Sequence, residues 1–476
     1  MSLLSLKLKV THGFNTLLGV VRSLMGSVQT RATSFENAEG SQTVLNEFKD
    51  NSLLDSASIL LTPTAVSDVK IHNIKPNTST GDFDFTRATT ATRVNSSGLI
   101  ESVASGLPRI DFLGGTGQIL LEPASTNTAT YSNDFTQGDI FSGSANPSLS
   151  DTILTANQGT APDGANTAFL LKDDNDSGVG QTGFDYYASN VVSDNFNTVS
   201  VFVKKSLSNN FIYIQTAGFD TAANGRSWFN IQNGTVGTVD SQHTAKIEDY
   251  GNGWFRCSTT FKTTTDLVGS VRLLLATADN TTNITKDGTN GVLLFGLQAE
   301  ADALRNFATS YIPTSGSTVT RNKDQANSAG DTSLISSTQG VLYAEIAAFR
   351  TTGVFESISI SDGTVDNTIR FFINNSENAP RVQVKTGGVS QGVISGSVTD
   401  VTAFNKLAIR YKNNDCDYFI NGVLVGTDTS VTIPSGLDSL NLSAGNVAGS
   451  PYEGKVKSVA VFKEFLTDAQ LISLTS

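Results

Sequence analysis

The chain has 476 residues, 38% of them hydrophobic and 16% charged, with a formal net charge of −12 and a pI of about 4.8. That negative balance repels a phosphate backbone and excludes nucleic acid as the main partner. The apolar runs fall short of the roughly 20 residues a membrane helix needs, so membrane insertion is not expected either. Length allows roughly two to four domains. The 42 glycines and the many hydroxyl and amide side chains suit short strands joined by tight turns.

Residues 1–55 differ from the rest and form the first predicted region, a docking segment and linker. Phe14, Leu17, Leu18, Val21 and Leu24 repeat at helical spacing and predict a short amphipathic helix that docks on a partner. A helix packed on its own domain, or a tail, would show the same spacing. Lys7, Lys9, His12 and Arg22 interrupt the apolar residues, so no secretory leader is expected.

Residues 56–125 form a connecting β region. Ile59 to Leu61, Val69 to Ile74 and Gln118 to Leu121 are strand-like, and Pro63, Pro76, Pro108 and Pro123 punctuate them against long helices. Residues 126–315 are steadily β. Val199, Val201 and Val203 alternate with Ser200, Phe202 and Lys204, while Phe211 to Ile214 is apolar on both faces. Trp228 to Ile231 runs into the hairpin signal Asn233-Gly234. Phe255, Cys257 and Phe261 share one strand face, and Val271, Leu273 and Leu275 share another.

Residues 316–338, rich in Ser, Thr, Asn and Gly, are the predicted linker to a last domain at 339–476. There Leu407, Ile409 and Tyr411 alternate with Lys406, Arg410 and Lys412, predicting one core face and one wet face. Asn421-Gly422 between Tyr418-Phe419-Ile420 and Val423-Leu424-Val425 is the clearest hairpin signal. Thr467 with Gln470 predicts a capping box for a short closing helix carrying Leu471 and Leu474. The fold class is therefore mainly β: two tandem β-sandwich (jelly-roll) domains behind an N-terminal docking segment with a short helix.

Several stretches resemble proteins of tailed bacteriophages. "SILLTPTAVSDVKIHNIKP", "DFDFTRATTATRVNSSGLIESVASGLPRIDF" and "ILLEPASTNTATYSNDF" look like an N-proximal region of phage fibre and adhesin-like proteins. "YGNGWFRCSTTF", "LFGLQAEADA" and "FATSYIPTSGSTVTRNKD" are similar to a carbohydrate-binding-module-like sandwich. "GVLYAEIAAF", "NKLAIRYKNNDCDYFINGVLVGT" and "SPYEGKVKSVAVFKEFLTDAQL" resemble a laminin-G or concanavalin-A-like jelly roll. The resemblance implies a structural virion protein, a head or tail fibre or adhesin-like component on the exposed particle surface, synthesised in the host cytoplasm. It implies attachment to host-surface glycans, contacts with other virion proteins of capsid or tail, and a homo-oligomer, trimer first and dimer second. A capsid decoration or cement protein and a polysaccharide-depolymerising tail spike are the alternatives.

The residues themselves favour binding over catalysis. His12, His72 and His243 lie in three different regions without ligand spacing, so neither a zinc site nor a Ser-His-Asp triad is expected. Glycoside hydrolysis needs only paired carboxylates, but no E-x-D-x-x-E-like run sits on a predicted strand of the last domain. Trp228 and Trp254 stand in apolar strand patterns and are expected in the core, leaving Tyr418 and Tyr452 as candidate sugar-stacking aromatics. No cofactor is expected, with calcium the one exception considered, at the acidic loop of Asp362 and Asp366. The same loop also fits an exposed turn. Cys257 and Cys416 lack a CxxC neighbour and are expected as buried thiols.

Overall fold

The computed structural model describes residues 34–35, 48, 53–138, 140–141, 152–175, 178–188, 191–220, 223–265, 267–349, 356–373 and 378–476. Strands dominate, as the alternation predicts, and they pair into two sandwiches. The predicted docking helix and its residues Phe14, Leu17, Leu18, Val21 and Leu24 lie outside the described residues.

The first sandwich is built mainly from the C-terminal part of the chain. One sheet runs Val423–Asp428, Asp415–Ile420, Asn405–Lys412, Gln339–Ala348, Gly454–Phe462, Gln118–Leu121, Ile110–Asp111. Ala57–Leu61 pairs with the second half of Gly454–Phe462, for example Leu61 with Val459. The facing sheet runs Val389–Ser395, Pro380–Thr386, Thr368–Ile373, Glu356–Ser361, Ser439–Asn441. Leu342, Ala344 and Ile346 meet Leu407, Ile409, Ile358, Ile360 and Phe371 in the core between the sheets. The Asn421-Gly422 turn has φ of 47° and 81°, so both residues adopt the left-handed backbone that its hairpin requires.

The outer face of the larger sheet is wet only in part: Lys412 is exposed and Lys406 half-buried, as expected, but the middle of the face is covered. Leu60, Val341, Tyr343, Ala408, Phe419, Ala460 and Phe462 form a second apolar layer under Phe48 and Leu53 and under the helix Asp468–Thr475. The capping box starts that helix as the sequence predicts, with Thr467 Oγ1 accepting from Gln470 N and Gln470 Oε1 accepting from Thr467 N. Arg410, expected in water, is buried instead. Its Nε donates to Asp417 Oδ2 at 3.0 Å and its Nη1 to the Leu466 carbonyl at 2.8 Å, because the helix lands on that face.

The linear division of the sequence separates pieces that the sheets join. Ile119 pairs with Val456 and Phe85 with Ala326, so stretches on either side of residues 126–315 share one body and one core. The second sandwich is inserted into this body through a neck formed by Ser125–Asn127 and Val319–Arg321, which pair antiparallel.

The inserted sandwich has two sheets. The near sheet runs Thr152–Gly159, Ala168–Asp173, Gly291–Asp302, Phe196–Lys205, Trp254–Phe261, Thr244–Asp249. The far sheet runs Ile140–Phe141, Gly183–Ala188, Gly269–Ala276, Phe211–Ala217, Gly225–Asn230, Thr235–Val239. Val199, Val201, Val203, Cys257, Val271, Leu273 and Ile212 fill the space between them. On the other side of the near sheet, Phe202, Trp254, Leu293 and Phe295 pack with Tyr311 and with Val94 and Ile100 of the first body. The middle strands of the near sheet are thus covered on both faces.

A buried ionic cluster sits at the neck. Arg109 Nη1 donates to Glu122 Oε2 at 2.7 Å and its Nη2 bonds Asp324. Arg87 Nη1 reaches Asp324 Oδ1 at 3.0 Å, and Arg321 Nη1 reaches Glu122 Oε2 at 2.6 Å. Ser310 N and Oγ also donate to Glu122, at 2.7 and 2.6 Å. Burial raises the pKa of the Glu122 carboxyl, but Arg321 and Arg109 outweigh it and hold the group well below the usual carboxylate range. Residues before and after the insertion are thereby tied together at its base.

Cys257 and Cys416 are free, buried and in different sandwiches, as expected, and burial pushes the Cys416 thiol up to about 12. Among the described residues no helix is long and apolar enough to cross a membrane.

Candidate functional site

Neither candidate tyrosine lies on the surface. Tyr418 and Tyr452 are 0% and 1% exposed and belong to the core of the first sandwich. Tyr418 takes an inward position beside Phe371, with ring centroids 6.2 Å apart. Tyr452 N donates to the Leu442 carbonyl, which folds the Pro451 loop down onto the sheet. Both hydroxyls lack a hydrogen-bond partner, and burial raises both well above the usual phenol value. Trp228 and Trp254 are buried as expected, with their indole N–H groups on the Thr281 and Thr160 carbonyls.

The acidic loop is closed by its own donors. Asp362 Oδ1 accepts from Thr364 N and Oγ1, Asp362 Oδ2 accepts from Asn367 Nδ2, and Asp366 Oδ1 lies 3.2 Å from Lys385 Nζ. Among the described residues no group of three or more His, Cys, Asp or Glu gathers as a metal site. Several other carboxylates are tied to partners of their own. Asp84 pairs with Lys70, Glu101 with Arg93, Glu345 with Lys457, and Asp111 accepts from Val94 N and Leu113 N. Carboxylates so bound are poorly placed to act as an acid and nucleophile pair across one sugar.

Against expectation, His72 does converge with other polar groups. Ser67 Oγ lies 2.7 Å from His72 Nε2, and His72 Nδ1 lies 2.9 Å from Asp82 Oδ2. Pairing of Ala65–Ser67 with Lys70–His72, and of the latter with Phe83–Thr86, produces this order of groups, which follows a hydrolase triad. The hairpin spacing of Ser67 and His72 was the available signal. Ser67, His72 and Asp82 are only 8%, 3% and 3% exposed, so a substrate carbonyl has no approach to the serine in this conformation. We read the chain of bonds as a brace for the hairpin. His243 is likewise held between Thr216 Oγ1 and Ser227 Oγ, and burial lowers its pKa to about 4.

The far sheet of the inserted sandwich offers a different surface. Side chains of a strand alternate between faces, so the residues between those of the core project outward. In register, Asp185 opposes Arg272, Arg272 opposes Gln215, and Gln215 opposes Arg226, which places four polar residues in one transverse row over four strands. On one side lies an aromatic row, in which Tyr213 and Trp228 stack at 5.2 Å. It is roofed by chain, since Tyr213 OH and Trp228 Nε1 donate to the Thr282 and Thr281 carbonyls. On the other side Tyr187 opposes Ser270, and Tyr187 is 43% exposed. Leu267 and Val268, also exposed, precede the strand Gly269–Ala276 beside it.

The polar row is only partly satisfied. Arg272 Nε donates to Asp185 Oδ1 at 3.0 Å, which fixes one edge of the guanidinium. Gln215 Oε1 and Arg226 Nε are buried without a hydrogen-bond partner among the described residues. Gln215 and Arg226 are directly opposed, an acceptor beside a donor, so the row keeps polar capacity that its own strands do not use. Arginine, glutamine and aspartate beside an exposed aromatic ring can grip hydroxyl and carboxyl groups while the ring covers a sugar face. Sequence reasoning missed this site because its members are scattered from Asp185 to Arg272 and meet only through strand register.

A cleft of about 460 Å³ opens elsewhere, lined by Val94, Asn95, Phe112, Leu113, Asp249 and Tyr250 among others. It lies where turns of the two bodies meet. The Gly114-Gly115 turn forms part of its wall.

Residues 346–472 match the family described as the concanavalin A-like lectin/glucanases superfamily, so the C-terminal region is a laminin-G-like jelly roll. Among curated proteins none matches the chain. Solved structures similar to parts of it include the CBM40 module of the Ruminococcus gnavus IT-sialidase bound to α2,3-sialyllactose, at 16% identity, 29% of this chain, 83% of that chain and a TM-score of 0.26. Domain 4 of AbnA, a GH43 extracellular arabinanase from Geobacillus stearothermophilus in complex with arabinotriose, is similar at 14% identity, 36% of this chain, 84% of that chain and a TM-score of 0.27. Domains LG4-5 of the mouse laminin α1 chain are similar at 12% identity, 58% of this chain, 86% of that chain and a TM-score of 0.21.

Proposed function

We propose that the chain is a non-enzymatic, lectin-like protein that attaches to glycans through the outer face of its inserted sandwich. One observation carries this reading: the row Asp185, Arg272, Gln215 and Arg226 lies beside exposed Tyr187, on the sheet opposite the one spent against the first body. The match of residues 346–472 to a superfamily whose description includes lectins supports it. That description also names glucanases, but Asp84, Glu101 and Glu345, each held by a cation, favour binding over bond cleavage.

The phage-like stretches extend the reading to a virion surface component, a fibre or adhesin whose N-terminal segment around Phe14 to Leu24 docks on capsid or tail and whose sandwiches face the host, while Phe48 and Leu53 belong to the first sandwich. Locating the chain in particles by cryo-electron microscopy tests that extension. Projection from head or tail supports it, and a continuous layer over the capsid lattice favours the cement alternative.

Glycan binding is tested with the full chain on a broad glycan array. Arg272→Ala and Tyr187→Ala are expected to abolish the signal, and the core variant Tyr418→Phe to leave it intact. Undiminished binding by both surface variants contradicts the proposed site.

A further inference from the structure

We infer that the polar row selects sugars bearing a carboxylate, which Arg226 and Arg272 hold from either side of Gln215. The inference rests on the glycan-binding reading and adds the ligand class. Arg226 and Arg272 stand on strands flanking the one that carries Gln215, so their Cα atoms lie about 10 Å apart. Two long, fork-shaped cations can therefore converge on one anionic group from opposite sides.

Their bonding differs in a way that fits this use. Arg272 is oriented by Asp185 through its Nε alone, which leaves its terminal nitrogens for a ligand. Arg226 pairs with no carboxylate among the described residues and keeps a buried Nε without an acceptor. Asp240, near by, accepts the Arg226 backbone N–H with its Oδ2 at 3.0 Å and so acts on the strand rather than on the guanidinium. A neutral sugar would offer these donors uncharged hydroxyl, ring or amide oxygens. A carboxylate supplies two acceptors in one plane, the geometry a guanidinium matches.

Bulk electrostatics oppose such binding, which sharpens the test. A chain of net charge −12 repels polyanions, so affinity for an acidic glycan must arise from local contacts rather than adsorption.

The experiment is biolayer interferometry of the full chain against matched polymers: polygalacturonate, hyaluronan and polysialic acid, each beside its carboxyl-reduced form. The expected result is that at least one acidic polymer binds, and that reduction weakens it by about tenfold or more. Arg226→Met should erase that preference, while Arg226→Lys keeps part of it. Melting curves of each variant show that it is folded. Equal or tighter binding of the reduced forms overturns the carboxylate inference and leaves the glycan reading standing. Binding to no member of either set overturns the carboxylate inference, and the glycan array alone decides the glycan reading.

Discussion

The two sandwiches share an architecture and differ in what covers them. In the first body the larger sheet is roofed by Phe48, Leu53 and the C-terminal helix, so Tyr343, Phe419 and Phe462 are buried on a face that usually meets water. In the inserted body the near sheet is roofed by the first body, while the far sheet keeps an outer face with a polar row and exposed Tyr187. Which side of a sandwich can recognise a ligand is thus decided by what the rest of the chain lays over it, not by the strand pattern alone. The match to a lectin-containing superfamily falls on one sandwich, and the better-formed surface for a ligand lies on the other.

The neck between them should carry the largest energetic effect. Arg109→Met leaves Glu122 and Asp324 short of a buried partner, and breaking a buried pair costs about 3–5 kcal/mol. Urea denaturation should show that loss. A loss under about 1 kcal/mol would mean that the two bodies are not joined through this cluster.

Next comes an acid sensitivity confined to the inserted body. The folded-state pKa of His243, about 4, lies below the unfolded value of about 6.5. The unfolded chain therefore takes up a proton first as pH falls. Stability present above pH 6.5 is lost progressively down to about pH 4, by up to about 3 kcal/mol. Glu122 has the depressed carboxylate sign, so its contribution is present above about pH 4.3 and is lost only below it. Melting temperatures of the wild type and His243→Gln across pH 4–7 separate the two. A wild-type profile that His243→Gln does not flatten contradicts the assignment.

Smaller effects contrast the tyrosines. Tyr418→Phe removes a buried hydroxyl without a partner, and should change stability by less than about 1 kcal/mol, in the stabilising direction. Tyr187→Ala should leave stability within about 0.5 kcal/mol and act on binding alone. A reversal of this pattern would exchange the roles of core and surface.

Much of the fold was legible because it is local. Alternation from Val199 to Lys204, the Asn421-Gly422 hairpin and the Thr467/Gln470 capping box each depend on neighbours in sequence. What was not legible depends on partners far away. Pairing of Leu61 with Val459 and of Phe85 with Ala326 joins segments that composition separates. Tyr452 looks like a loop aromatic until its loop folds onto the sheet, and Arg410 looks wet until a helix covers it. The row from Asp185 to Arg226 is a product of register among four strands, which no local pattern records.

The central claim is that the far sheet of the inserted sandwich meets the ligand. Hydrogen–deuterium exchange of the full chain, with and without a glycan identified on the array, tests it most directly. Protection of peptides spanning Gly183–Ala188, Phe211–Ala217 and Gly269–Ala276 is the predicted result. Protection confined to the cleft around Asn95 and Asp249, or to strands of the C-terminal jelly roll, would contradict it.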